Sequence, residues 1–229
     1  MHIEPGVVTG AKLALGYATA AGSLGIAAKL AWDSLRHDGG VARLAGRSLA
    51  TTALVFSFFE VLPHFPVGVS EVHLILGSTL MLVFGAGPAA IGLALGLLMQ
   101  GLFFAPADLP QYGMNLTTLI GALAALKLIA DRVIRPGTAY ADLAYGQVLR
   151  LSFSFQAVTV SWVAFWVLWG QGLSAETLVR IASFGAAYLG VILIEPLIDL
   201  TVLALAKRVK SGALRGFFTA RLYQPAALA

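Results

Sequence analysis

The feature that most constrains this chain is the recurrence of apolar runs about as long as a bilayer is thick. Crossing a hydrocarbon layer of ~30 Å takes about 20 predominantly apolar residues in a helix. Such runs lie near residues 7–31, 46–62, 70–86, 88–106, 114–134, 146–170 and 180–206. They account for most of the 229 residues, of which 59% are hydrophobic and 11% charged. In lipid the backbone must satisfy its own hydrogen bonds, so only helices and closed barrels cross. These runs are far too long for barrel strands. The expected fold is therefore all-α: a polytopic membrane helix bundle of about seven transmembrane helices, forming one domain over residues 1–229. The runs 70–86 and 88–106 are the shortest and share the break Gly85-Ala86-Gly87-Pro88, which leaves a re-entrant hairpin as the alternative there.

Charge sets the expected orientation. Arg36, Arg43 and Arg47 follow the first run, Arg132 and Arg135 lie at the end of the fifth, and Arg150 lies just inside the sixth. Residues 207–229 form a basic tail with Lys207, Arg208, Lys210, Arg215 and Arg221. By contrast, 63–71 and 105–112 hold no Lys or Arg, and 171–180 holds only Arg180. The excess of Lys and Arg in cytoplasmic loops then places the N-terminus outside and the tail in the cytoplasm, which an odd number of spans satisfies. The opening Met1-His2-Ile3-Glu4-Pro5-Gly6 carries no Lys or Arg, unlike the positive start of a cleavable signal peptide. Met1 is expected to be kept, because His2 is too large to favour its removal. Three segments should then share the outer face: residues 1–6, 63–71 and 106–113. No internal repeat of the inverted-transporter kind is visible.

The chain has no Cys, which excludes disulfides, thiolate metal sites and cysteine nucleophiles. A metal site must be built from nitrogen and oxygen ligands. Met1-His2 offers one. The Met1 amine, the His2 amide nitrogen and the His2 ring Nδ1 can close two consecutive chelate rings on one ion. The metal must displace the amide proton for this to happen. Three nitrogens then lie near one plane, and a further imidazole completes a square that suits Ni(II) or Cu(II), with Co(II) able to be forced into it. Pro5 biases the residue before it toward extended backbone, so the lead can fold back into the bundle. His73, one turn into the third run, and His64, between Pro63 and Pro66, are the candidates for the fourth corner. Glu60 lies close enough to balance charge, while His37 reads as solvated.

MHIEPG at the start, PVGVSEVHLILG at Pro66–Gly77 and Tyr112-Gly113-Met114-Asn115-Leu116 together resemble the CbiM/NikM family, the substrate-binding (S) components of energy-coupling-factor cobalt/nickel transporters. MHIEPG is similar to that family's M-H-I-P-[DE]-G opening, PVGVSEVHLILG (Pro66–Gly77) to its P-x-x-G-[GT]-x-S-x-H-L-x-G segment, and Tyr112–Leu116 to its G-A-N element. Glu4 and Pro5 are in swapped order, Glu71 stands where a small polar residue is usual, and the spacing from Pro66 to His73 is one residue short. The resemblance implies that Met1, His2 and His73 hold Ni(II) or Co(II) as the transported substrate. Asn115, Ser70 and Glu71 would surround those ligands, with Asn115 orienting the His73 loop; His64 and Glu60 become secondary candidates. It also implies a bacterial plasma-membrane assembly with a transmembrane coupling subunit, two cytoplasmic ATPase subunits and a small accessory membrane subunit. No nucleic-acid partner is implied. The chain has no GxxxxGK[ST] pattern, so no bound nucleotide and no enzymatic activity of its own are expected.

Charged residues inside the runs admit other readings. Lys127 and Asp131 are four apart and suit an ion pair. Glu195 and Asp199, also four apart, are costly in a membrane; a structural hydrogen bond is the favoured reading for Glu195, with a release path or proton binding as the functional one. The alternative function is a self-contained secondary permease for a small solute, with proton coupling through Glu195 and Asp199. A scaffold without ligand is a third reading. Ala14, Ala18 and Gly22 form a strip of small residues that suits close helix contact, either within the bundle or with a coupling subunit.

Overall fold

The computed structural model describes residues 3–135, 137–208 and 217–224. In chain order these form α1 (Leu13–His37), α2 (Gly40–Phe56), a hairpin of β1 (Phe65–Val67) and β2 (Ser70–Val72), and α3 (Gly77–Phe84). There follow α4 (Ala86–Phe103), α5 (Tyr112–Val133), α6 (Tyr145–Gln171), α7 (Ala175–Arg208) and the single turn α8 (Ala220–Tyr223). Among the described residues, six of these stretches are long and apolar enough to cross a membrane. The chain is a polytopic membrane helix bundle.

The third run departs from the expected continuous helix. The strands pair antiparallel with Phe65 opposite Val72 and Val67 opposite Ser70. Residues 73–76 then run without regular structure into α3, which has only eight residues. Eight residues rise about 12 Å, less than half a bilayer core. The segment still crosses fully. Thr51 and Val55 of α2 lie against Gly92 and Gly96 of α4 in that order, so the two helices run parallel. The chain must therefore return between them, and it does so through the hairpin, residues 73–76 and α3. A re-entrant turn is excluded. Non-helical backbone at this depth is tolerated only where protein covers it, and His73, Ile75 and Leu76 are all buried.

Close helix approach positions the rest. A Cβ on Gly113 of α5 would stand 2.7 Å from the carbonyl oxygen of Gly16 in α1. Only glycine permits that approach, and it brings the start of α5 under the entry of the chain. At the opposite end of the bundle, the buried Arg47 pairs with the Asp38 carboxylate and donates to the carbonyl of Phe84 at 3.1 Å. Asp38 also accepts from the Thr219 hydroxyl at 2.6 Å and the Ala220 amide at 2.9 Å. Residues 217–224 of the tail are thus folded against the bundle, with Leu222 buried. The exposed Lys127 and Asp131 form the expected ion pair along α5.

Candidate metal site

The lead is held by its backbone. Ile3 forms an antiparallel bridge with Ser70, and the Glu4 amide donates to the carbonyl of Val69 at 3.1 Å. The lead thus adds to the hairpin edge. The Ile3 amide instead turns toward α5 and donates to the Asn115 side-chain oxygen at 2.9 Å. Ile3, Val7 and Val8 are buried, so apolar contacts anchor what the hydrogen bonds orient. Beyond Pro5, the lead crosses the end of α6 so closely that a Cβ on Gly170 would meet the Val7 carbonyl oxygen at 2.1 Å. Lys12 then donates to the Gly170 carbonyl at 2.8 Å, and the Trp169 indole donates to the Lys12 carbonyl at 3.1 Å.

His73 follows β2 directly, three residues beyond Ser70, and is 2% exposed. Its ring stacks on Phe59, with centroids 5.0 Å apart and planes at 24°. Phe59 belongs to a widened turn, Ser57–Val61, that ends α2. The buried Gln100 of α4 reaches its carbonyl at 3.5 Å. The stack fixes the plane in which the imidazole can present a nitrogen. His64 is half-buried, lies 6.0 Å from the His73 ring and makes a contact of 3.1 Å to the carbonyl of Leu62. Glu60 sits in the same widened turn, half-buried.

Of the residues singled out from sequence, Ser70 and Asn115 are brought together around Ile3, Glu71 follows Ser70 in β2, and His73 directly follows that strand. His64 stands at the edge of this group. Met1 and His2 lie outside the described residues. Among the described residues no three His, Asp or Glu side chains converge at metal-ligand distances. Sequence reasoning missed Phe59 and Gln100; a lone aromatic near a helix end carries no signal that it will stack on an imidazole. His37 is exposed and contacts the Asp33 carbonyl, as expected of a solvated residue.

The mouth is acidic. Burial, with the neighbouring charges of Glu71 and Asp108, pushes the Glu4 carboxyl above its ordinary range. A field of this sign raises the local concentration of cations.

Beneath the site, the fully buried Glu195 of α7 accepts hydrogen bonds from the amides of Ile75 and Leu76, the latter at 3.0 Å. Its second oxygen accepts from the Gln156 side chain, whose own oxygen accepts from the Tyr188 hydroxyl at 2.7 Å. Asp199 accepts from Ser78 and Thr79 of α3. Leu76 is left-handed, at φ 53° and ψ 34°, a conformation that costs a non-glycine residue ~1–2 kcal/mol.

The whole-chain comparisons fit this geometry. The family model for the CbiM cobalt uptake substrate-specific transmembrane region matches residues 2–213. The chain belongs to the CbiM family. This CbiM-family chain is also similar to a crystal structure described as that of a transition metal transporter, with a TM-score of 0.70 and 18% identity over 94% of this chain and 96% of that one. At that identity the likeness shows the fold. No curated protein matches the sequence. The chain is thus a multi-pass membrane component of cobalt uptake, a transporter and not an enzyme.

Proposed function

We propose that this CbiM-family chain is the substrate-binding subunit of an energy-coupling-factor transporter and captures Ni(II) or Co(II) at the outer face. The Met1 amine, the His2 amide and ring, and the His73 imidazole supply four nitrogens in a plane. The supporting observation is the docking of the lead. Ile3, the residue after His2, is bonded to Asn115 and bridged to Ser70, which lies three residues before His73 at the start of the hairpin strand that leads into it. A lead fixed there needs no further search to close its chelate on the His73 ring. Phe59 stacks that ring, Asn115 and Ser70 hold the lead, and Glu71 with Glu4 and Asp108 adds negative charge at the entrance. Glu60 and His64 lie outside the ligand set in this reading.

Transport follows from partners. A membrane coupling subunit and two cytoplasmic ATPases, with a small accessory membrane subunit, supply the energy that this chain has no motif to harvest. Ala14, Ala18 and Gly22 are exposed along α1, so the strip is not spent on packing this bundle. It is the proposed docking face for the coupling subunit.

The test compares metal content in the chain purified with its native start and in one extended by several residues before Met1. Nickel or cobalt retained only by the native form supports the chelate, and His73→Ala should lose it too. Equal retention by both forms would move the site elsewhere and favour the secondary permease.

A further inference from the structure

We infer that Glu195 is a positioning residue for metal capture: it shapes the segment 73–76 from below and so sets where the His73 ring stands. This rests on the reading of His73 as a ligand, and the experiment below separates the two.

Residues 73–76 lie in neither helix nor sheet, yet they are largely buried. Buried amides in such a segment must find partners off the segment. Those of Ile75 and Leu76 find one oxygen, that of Glu195, 120 and 119 residues away in sequence. Two successive amides converging on one acceptor fix the local path of the chain. Here that path includes the left-handed Leu76, which then opens α3. His73 is two residues before Ile75, with the Phe59 stack on one side and this anchor on the other.

The Glu195 carboxyl also joins a polar network away from the loop. Tyr188 donates to Gln156, Gln156 donates to Glu195, and the loop amides donate to Glu195. One Glu195 oxygen thus serves the loop and the other serves Gln156, so an apolar side chain at 195 would leave the Ile75 and Leu76 amides without an acceptor. A glutamine at 195 would keep an oxygen for the loop, because the Gln156 amide can turn to accept from it while donating to the Tyr188 hydroxyl. Asp199, one turn further along α7, serves as the control. It is equally buried and carboxylic, but it binds Ser78 and Thr79 of α3 and makes no contact with the amides of 73–76.

The experiment titrates nickel sulfate into the purified full chain and reads affinity together with the visible absorption band of planar Ni(II). Glu195→Leu should weaken nickel binding about 10–100-fold, the range for residues that orient metal ligands, and should diminish the planar band, while Glu195→Gln, which keeps the accepting oxygen, should recover most of both. Asp199→Asn should keep both. Wild-type affinity and spectrum in Glu195→Leu would overturn the inference, as would an equal loss in Asp199→Asn, which would mark a general effect on the bundle. If Glu195→Leu does not fold, Glu195→Asp decides, because it keeps the carboxyl but withdraws it from the loop amides by one methylene; an unaltered planar band there also overturns the inference. Should His73→Ala retain the wild-type band, the ligand assignment itself falls, and with it this role for Glu195.

Discussion

The amide nitrogen of Ile3 donates to the side-chain oxygen of Asn115 at 2.9 Å, across 112 residues of sequence. Both residues are buried, so the bond is sheltered from water. It joins the lead to α5, while the bridge to Ser70 joins the same residue to the hairpin. One backbone unit is therefore held on two sides, by α5 and by the hairpin strand that leads into His73.

Asn115→Leu preserves bulk but leaves the Ile3 amide without an acceptor, a loss of about 1–3 kcal/mol for a buried donor. Nickel affinity should fall about 10–100-fold. Asn115→Asp retains the accepting oxygen and should recover most of it. Isothermal titration of both variants checks the pair; equal losses would show that the amide bond is not what matters.

The acids at the mouth should act on rate more than on affinity. Glu71→Gln and Asp108→Asn are expected to slow nickel association a few-fold at low salt and to leave dissociation unchanged. The difference should shrink as the Debye length falls with added salt. Glu4 has a raised pKa from burial and from its acidic neighbours. It therefore loses its charge on acidification sooner than an ordinary glutamate. Protonation of the nitrogen ligands lowers the rate in both forms, but the rate advantage of wild type over Glu4→Gln should begin to vanish above the usual carboxylate range. Stopped-flow mixing at several pH values measures this.

Much of this arrangement was legible in the sequence because it rests on quantities a sequence displays. Run length and charge asymmetry indicated a helical bundle, and they grouped residues 1–6, 63–71 and 106–113 on one face. The structure gathers Ile3, Ser70 and Asn115 at one end of the bundle. His73 stood out as an ionisable residue inside an apolar run. The form of that run was not legible. Hydropathy counts 70–86 as a helix, since it measures transfer to lipid and not backbone conformation. The break at 73–76 depends on Glu195, about 120 residues later, and the hairpin strands have only three residues each, too few for alternation to show. The Phe59 stack and the Gln100 contact are likewise products of packing.

The far end of the bundle offers a stability test independent of metal. Arg47 is 1% exposed and pairs with Asp38, which also gathers the Thr219 hydroxyl and the Ala220 amide. Removing one member of a buried pair leaves the other charge uncompensated, at a cost of about 3–5 kcal/mol. Asp38→Ala should lower the thermal midpoint of the purified chain markedly and loosen residues 217–224. Nickel affinity, set at the opposite end, should change little in the protein that remains folded. Thermal melts with and without nickel, together with hydrogen exchange over the tail, distinguish these effects.

The strip on α1 separates capture from transport. Ala18 and Gly22 are exposed, and a Cβ added at Gly22 meets nothing within 4 Å. Ala18→Leu and Gly22→Leu should therefore be accommodated by this chain, with thermal midpoint and nickel affinity unchanged. Small residues matter where a second helix approaches closely, and a leucine there holds the backbones apart. In cells that supply the coupling subunit and both ATPases, radioactive nickel or cobalt uptake should fall at least several-fold. Co-purification of the coupling subunit should fall in parallel, because the same steric contact governs both. Retained uptake in both variants would leave the strip facing lipid and place the docking surface on another helix.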